Sequence, residues 1–290
     1  MDLLVAGEVL FDVVAAADGV TRTHLGGSPA NVAVAAARLG TRVTLAASVG
    51  DDDLGRRARH ALAAEGINLD LRTQTAPTSR AVATLTHAGD ADYTFDLDTS
   101  AALDLQHLVT VALAPVVHVG SISAWHPRSH PAVLALARRA KRAGSLVSLD
   151  LNARAALHDD GVIGRINNLI AVADLVKASD ADLALLYPNR PAGDVARSWD
   201  VPLAVVTRGA KGARAWSRHA GELVVGAPHV EVVDTVGAGD AFTGALLAAF
   251  RPDLPDGERL PSALGNAVRV ASLSCTRAGA DPPRRAELDV

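Results

Sequence analysis

The run Val232-Val233-Asp234-Thr235-Val236-Gly237-Ala238-Gly239-Asp240-Ala241-Phe242 decides how the rest of the chain is read. Its two leading apolar β-formers predict the end of a strand. An Asp-Thr pair follows, then three small residues, and then a second carboxylate opens an apolar run to Phe250 that predicts a helix. Gly237, Ala238 and Gly239 leave room for backbone N–H groups to face one concavity, which suits an anion at a helix start. Asp240 beside them has two readings. It can cap the helix, its carboxylate accepting from the first amides. It can instead be a general base that takes a hydroxyl proton while the amides hold the acceptor's charge. Asp234 favours the base, because a turn that needs only a cap has no use for Asp-Thr, three small residues and Asp together.

Two other readings fail on the residues. Phe242 stands at the third glycine position of a dinucleotide fingerprint, and the run lies near the chain end rather than after a first strand. A P-loop requires GxxxxGK[ST], which Gly209-Ala210-Lys211-Gly212 does not supply.

Outward from this run, 49% hydrophobic and 21% charged residues over 290 positions describe a soluble globular chain, with one large α/β domain or two small ones. A net charge of −4 and 3% aromatics offer neither a basic footprint nor a stacking platform, so no nucleic-acid partner is expected. Cys275 is the one cysteine; no intrachain disulfide can form, and a buried inert thiol on a helix is expected. Met1-Asp2-Leu3-Leu4-Val5-Ala6-Gly7 is too short and acidic for a signal peptide, and no run of about 18 apolar residues predicts a membrane span. A cytoplasmic protein without a membrane partner is expected. No zinc-type His/Cys spacing occurs, and Gly120-Ser121-Ile122-Ser123-Ala124 lacks the second glycine of a nucleophile elbow.

Strand and helix signals alternate along most of the chain. Strands are predicted at about 3–6, 43–49, 116–120, 146–151, 175–177 and 203–207, and a β-rich portion over 213–233. Helices are predicted to Leu39, to Glu65, and over about 131–143, 162–173, 180–186, 240–250 and 261–277. Such alternation predicts βαβ units and a mainly parallel sheet flanked by helices. Residues 79–98 differ, with a β-branched run, a turn at Gly89-Asp90 and period-two alternation from Tyr93, which predicts a half-exposed hairpin.

A second polar group lies early. Asp12 and Gly26-Gly27-Ser28-Pro29-Ala30-Asn31 fall at the ends of the first elements, where open α/β sheets bind ligands. Asp12 can accept two hydroxyl bonds, Asn31 can donate and accept, and Gly26 and Gly27 let backbone come close to a ligand. The plainer reading has Ser28 capping a helix with Pro29 in its first turn, and Asn31 as decoration.

The run from Asp234 to Phe242 resembles the C-terminal motif of the ribokinase-like (PfkB) sugar kinases. Gly26-Gly27-Ser28-Pro29-Ala30-Asn31-Val32-Ala33 resembles the N-terminal sugar-binding motif of the same family, in the right order at the opposite end. Further likenesses cover nearly the whole length, at Gly50 to Gly55, Asp150-Leu151-Asn152-Ala153-Arg154, Lys177 to Asp182, and Thr207-Arg208-Gly209 to Gly212. The resemblance implies a single ribokinase-like α/β domain over 1–290, with a small β lid from about 10–27 and 72–98. It implies ATP-dependent phosphorylation of a sugar hydroxyl. Asp240 is then the base and the amides of Gly237, Ala238 and Gly239 the anion hole. Asp12, Gly26, Gly27, Asn31, Tyr93, Phe95 and Arg154 contact the substrate, with Arg154 meeting the transferring phosphate. Lys177, Ser179, Thr207, Gly209, Gly212 and Asn266 fall on the nucleotide side. Ser179 and Asp182 stand where the family carries Asn and Glu linked to Mg²⁺; both are shorter, which implies contact through water. Asp150 belongs to the metal shell. Asp234 and Thr235 place a monovalent cation such as K⁺, as in some members. The lid's bare strands offer an edge for a homodimer.

Glu8, the Gly-Gly-Ser-Pro-Ala-Asn run, Tyr93-Thr94-Phe95 and the Asp150–Arg154 segment are most similar to the fructokinase-type branch. Arg154-Ala155-Ala156-Leu157-His158 departs from it, since that branch usually ends in Trp. Arg80 in the lid keeps open a 2-keto-3-deoxy sugar acid, and a nucleoside acceptor would want more aromatic surface. A catalytically silent sugar- or nucleotide-binding regulator is the rival of another class, against which the intact Asp240 speaks.

Overall fold

Short runs of Val, Leu and Ala without polar alternation make strands covered on both faces, and the chain builds them into one large sheet. The computed structural model describes residues 2–15, 21–85, 91–157, 159–250 and 256–288. The first part runs β1 (Asp2–Ala6), β2 (Leu10–Ala15), β3 (Thr21–Gly26), α1 (Ser28–Arg38), β4 (Arg42–Gly50), α2 (Asp53–Ala64), β5 (Asn68–Gln74), β6 (Ser79–Leu85) and β7 (Ala91–Phe95). Next come β8 (Val116–Gly120), α3 (Ser121–Trp125), α4 (His130–Arg142), β9 (Leu146–Asp150), α5 (Val162–Ile170), β10 (Leu175–Ser179), α6 (Asp180–Leu186) and α7 (Ala192–Ser198). The chain continues through β11 (Leu203–Thr207), β12 (Ala213–Ser217), β13 (Gly221–Val225), α8 (Ala238–Ala249) and α9 (Asp256–Ser274).

The large sheet has the order β13-β12-β11-β10-β9-β8-β1-β4-β5, parallel from β5 through to β11, with β12 and β13 antiparallel at one edge. Strand order reverses at β1, which lies between β4 and β8, so the crevice expected of an open α/β sheet opens at the carboxyl ends of these central strands. Val32, Leu62, Phe242, Leu246 and Val270, from α1, α2, α8 and α9, bury one face. Trp125, Leu136, Ile166, Leu183 and Val195, from α3 to α7, bury the other. The small sheet, β3-β2-β6-β7, pairs β2 with β6 in parallel and both outer strands antiparallel.

Several elements differ from the sequence reading. Val232 and Val233 form no strand: Pro228 denies the approach an N–H donor, and the Val233 and Asp234 amides donate instead to the Cys275 carbonyl just beyond α9. Cys275 is half-buried past the helix rather than sealed within it. Residues 72–74 belong to β5 at the edge of the large sheet, so the second part of the small sheet begins only at Ser79. The turn expected at Gly89-Asp90 and the His158 position lie outside the described residues. Helices α3 and α7 were not anticipated; each is short, and Pro191 with Gly193 masks the periodicity of α7.

The helices that carry the two terminal motifs approach closely at Gly244. A Cβ there would stand 2.6 Å from Ala35 Cβ and 2.8 Å from the Val32 carbonyl oxygen, so α8 lies almost backbone to backbone on α1. Gly244→Ala should therefore destabilise the fold by about 1–3 kcal/mol despite alanine's better helix propensity, as measured by urea unfolding; an unchanged midpoint would mean that the helices do not need this approach.

Candidate active site

Gly237, at φ 74°, takes the left-handed conformation that turns the chain into α8. Asp240 is the third residue of that helix, not its cap, and no side chain caps the helix. The carboxylate points to α1 instead. Ser28 Oγ donates to its Oδ1 at 2.6 Å, and Asn31 Nδ2 donates to its Oδ2 at 2.8 Å. Ser28 is correspondingly not a cap either; Gly27, at φ 97°, precedes the helix, and Ser28 and Asn31 face the same way three residues apart. Burial pushes the Asp240 carboxyl up, while the Ser28 and Asn31 bonds, Lys177 and Arg154 pull it down. Of the glycine-turn amides, Ala238 N–H donates to the Thr235 carbonyl at 3.2 Å; early helix N–H groups such as that of Gly239 have no partner within a helix.

A buried ion pair lies against this turn. Asp150 ends β9 in register with Lys177 of β10, and Lys177 Nζ sits 2.9 Å from Asp150 Oδ2. Both side chains are sealed from solvent. The same ammonium would be 3.1 Å from a Cβ on Gly239, so positive charge rests directly on the first turn of α8. Thr243 Oγ1 lies 3.0 Å from both Asp150 Oδ2 and the Gly239 carbonyl oxygen, and its single proton serves one at a time. Burial pushes Asp150 up to about 6, opposed by Lys177. Burial also disfavours the ammonium, but Asp150 and Asp182 outweigh it and hold Lys177 protonated.

Asp12 stands on the other side of the crevice. A Cβ on Gly26 would fall 2.3 Å from Asp12 Oδ2, so a side chain there would push this carboxylate from its present place. Burial and then Asp240 push its carboxyl up, while His24 and Arg154 pull it down. Ala81 pairs with Asp12 and Phe95 with Ala81, which puts all three on one face of the small sheet. Tyr93 pairs with Ala83 on β7; its side chain is outside the described residues. Arg80 pairs with Phe11 on the opposite face and is bound to Asp96, with Nε 3.1 Å from Oδ2. It is thus turned away from Asp12, and the acidic-substrate reading loses its cation.

Arg154 is exposed beyond β9, with Nη1 on the Ala153 carbonyl at 3.0 Å. Nearby Asn152 and Ser121 hold positive φ of 38° and 56°, a costly backbone at the carboxyl ends of two central strands. Ser179 and Asp182 form a capping box for α6. Asp182 Oδ2 accepts from Ser179 N–H at 2.7 Å, and its Oδ1 accepts from Ala153 N–H at 2.8 Å. An all-oxygen set suits Mg²⁺, yet both Asp182 oxygens already hold N–H donors and Asp150 Oδ1 is buried without a partner. The Asp182 carboxylate is thus engaged, and of the two residues it is Asp150 that keeps an acceptor for an ion or for its water. Asp234 likewise spends both oxygens on backbone, accepting from Val236 N–H at 3.0 Å and Gly279 N–H at 2.8 Å.

Thr207 ends β11, with Oγ1 3.5 Å from the Ala178 carbonyl oxygen. Gly209 and Gly212 bracket the following turn with φ of 52° and 80°, and Asn266 is exposed on α9. Thr207, Gly209 and Gly212 lie at the end of β11 and in the turn to β12. Sequence reasoning missed Ser28, Thr243 and the Lys177–Asp150 pairing. The three-residue spacings of Ser28 to Asn31 and Asp240 to Thr243 were the available signal for the first two.

A carboxylate held ready beside a cation-backed helix start, facing a second carboxylate under a small sheet, defines a group-transfer enzyme that acts on a hydroxyl. Residues 2–286 match the family described as "pfkB family carbohydrate kinase", and the chain belongs to that family. It is 34% identical over 303 residues to "Probable fructokinase-3" of Arabidopsis thaliana, covering 95% of this chain and 86% of that one. The fold superposes on the fructokinase of Vibrio cholerae O395 in its fructose, ADP and calcium ion bound form, with TM-score 0.87 and 29% identity over 99% of this chain and 97% of that one. It superposes equally on aminoimidazole riboside kinase from Salmonella enterica complexed with aminoimidazole riboside and an ATP analogue, with TM-score 0.86 and 28% identity over 100% and 99% of the two chains.

Because the Ser28 bond pulls the Asp240 carboxyl down, its loss should raise that pKa. Ser28→Ala is expected to move the acid limb of the kcat–pH profile upward, because the charged carboxylate loses a donor. An unmoved limb would show that Asp240 is not the titrating base.

Proposed function

We propose that this kinase phosphorylates fructose with ATP, with Asp240 as general base. The observation that carries the chemistry is the Asp240 carboxylate, aimed out of its own helix and held by Ser28 and Asn31 beside the glycine turn. The curated relatives of fructokinase type support the sugar. An aromatic content of 3% speaks against a nucleoside acceptor, and the orientation of Arg80 against a sugar acid.

In this reading Asp12, Gly26, Gly27, Asn31, Tyr93, Phe95 and Arg154 hold the sugar so that one hydroxyl lies against Asp240. As that oxygen attacks the γ-phosphorus, its proton passes to the Asp240 carboxylate and ADP departs. The amides of Gly237 and Gly239, backed by Lys177, meet the charge that grows on the phosphoryl oxygens, while the Ala238 amide stays on the Thr235 carbonyl. Ser179, Thr207, Gly209, Gly212 and Asn266 line the way to the nucleotide. Asp182 and Asp150 would hold, through water, the Mg²⁺ that comes with ATP, which would supply charge to neutralise the phosphates. A monovalent cation would lie by Asp234 and Thr235, behind the glycine turn. The small sheet covers the site and keeps water from the phosphoryl group. Its outer strands, β3 and β7, are free sheet edges suited to a second copy of the chain. No helix among the described residues is long and apolar enough to cross a membrane.

An ADP-release assay against fructose, ribose, a 2-keto-3-deoxy sugar acid and aminoimidazole riboside should give its highest kcat/KM with fructose. Asp240→Asn should lower kcat by about 10²–10⁴-fold, the usual weight of a general base, while nucleotide binding persists. Near-normal turnover in that variant would remove the base from the mechanism.

A further inference from the structure

Three consecutive residues past α9 connect the glycine turn to the far end of α1. Gly279 N–H donates to Asp234 Oδ2 at 2.8 Å, at the start of the turn. Ala280 packs on Gly237, where an added Cβ would fall 2.5 Å from Ala280 Cβ. Asp281 pairs with the guanidinium of Arg38, whose Nη1 also donates to the Pro282 carbonyl at 2.7 Å. The other edge of the same guanidinium forks onto Glu65 after α2, with Nε at 3.1 Å and Nη2 at 2.8 Å. Arg38 and Glu65 side chains are only 14% and 15% exposed, so this is a fixed bidentate pair rather than a loose surface contact.

Arg38 is the last residue of α1, and the first turn of that helix carries Ser28 and Asn31. One helix therefore holds the base from its beginning and the back of the glycine turn from its end. Its contact with α8 at Gly244 leaves little freedom between the two. We propose that Arg38 is a positioning residue for phosphoryl transfer. It touches no substrate, and keeps the turn's amides in register with the Asp240 carboxylate through Asp281, Ala280 and Gly279. The inference rests on the kinase reading above, in which those amides meet the transferring phosphoryl. Misplacing such groups by about 1 Å can cost on the order of a hundredfold in rate.

Arg38→Met keeps the apolar stem and removes the fork. With saturating sugar and ATP, kcat is expected to fall about tenfold to a hundredfold, with the KM for sugar within about twofold of its original value, because sugar contacts are untouched. Hydrogen exchange should quicken over residues 232–240 and stay unchanged over β8 and β9. Asp281→Ala cuts the same link from the exposed side, should reproduce both effects if Arg38→Met fails to fold, and should add little in the double variant. Arg284→Ala breaks another contact of the same tail, to Glu65, and should leave kcat unchanged. Unaltered kcat and exchange in Arg38→Met would overturn the proposal. So would an equal loss in Arg284→Ala, which would mean that any loosening of the tail suffices. If the unmodified enzyme phosphorylates no sugar, the kinase reading fails, while the exchange measurement still judges the link.

Discussion

The hydrogen bonds from Ser28 and Asn31 to the Asp240 carboxylate join positions 212 and 209 residues apart in the chain. A buried carboxylate without donors is costly, so this fold keeps Asp240 satisfied only if α1 and α8 arrive together in one orientation. Much of the nearby structure follows from that requirement. Gly244 removes the side chain that would hold the helices apart, Gly27 lets α1 begin against the Glu8 backbone, and Gly237 turns the chain into α8. The two motifs at opposite ends of the sequence are in this sense one site, each incomplete without the other.

Charge decides what the site can hold. Asp12, Asp150, Asp182 and Asp240 all interact with Lys177 or Arg154, so carboxylates outnumber the cations that face them. Lys177 is sealed against Asp150, and losing either partner would strand the other in the interior at a cost typical of broken buried pairs, about 3–5 kcal/mol. Within that pair the Lys177 ammonium lies directly against the glycine turn, where an anion can rest. The pairing leaves little positive charge elsewhere to offset polyphosphate.

Much of the parallel sheet was legible because its strands are short apolar runs between helical periods. The strands over 116–120 and 203–207 and the helix over 180–186 agree with the structure residue for residue. The Val232-Val233 pair misled, since β-branched composition cannot say whether a neighbouring strand exists to receive it. The site residues were legible as types and spacings, but their partners were not. Ser28 looks like a cap in sequence because Ser-Pro before an apolar run usually is one; only the approach of α8 turns its hydroxyl outward. The pairing of Lys177 with Asp150 depends on the register between β9 and β10, and the link from Arg38 to Asp281 on the return of the chain from α9. Neither has a local signature.

The central claim is that one carboxylate and the adjoining main-chain donors act together on a single hydroxyl. A crystal structure with fructose and a non-hydrolysable ATP analogue tests it most directly. It should place one fructose hydroxyl within about 3 Å of an Asp240 oxygen, in line with a γ-phosphate that faces the amides of Gly237 and Gly239. A γ-phosphate directed away from that turn, or a sugar bound with no hydroxyl near Asp240, would contradict the account.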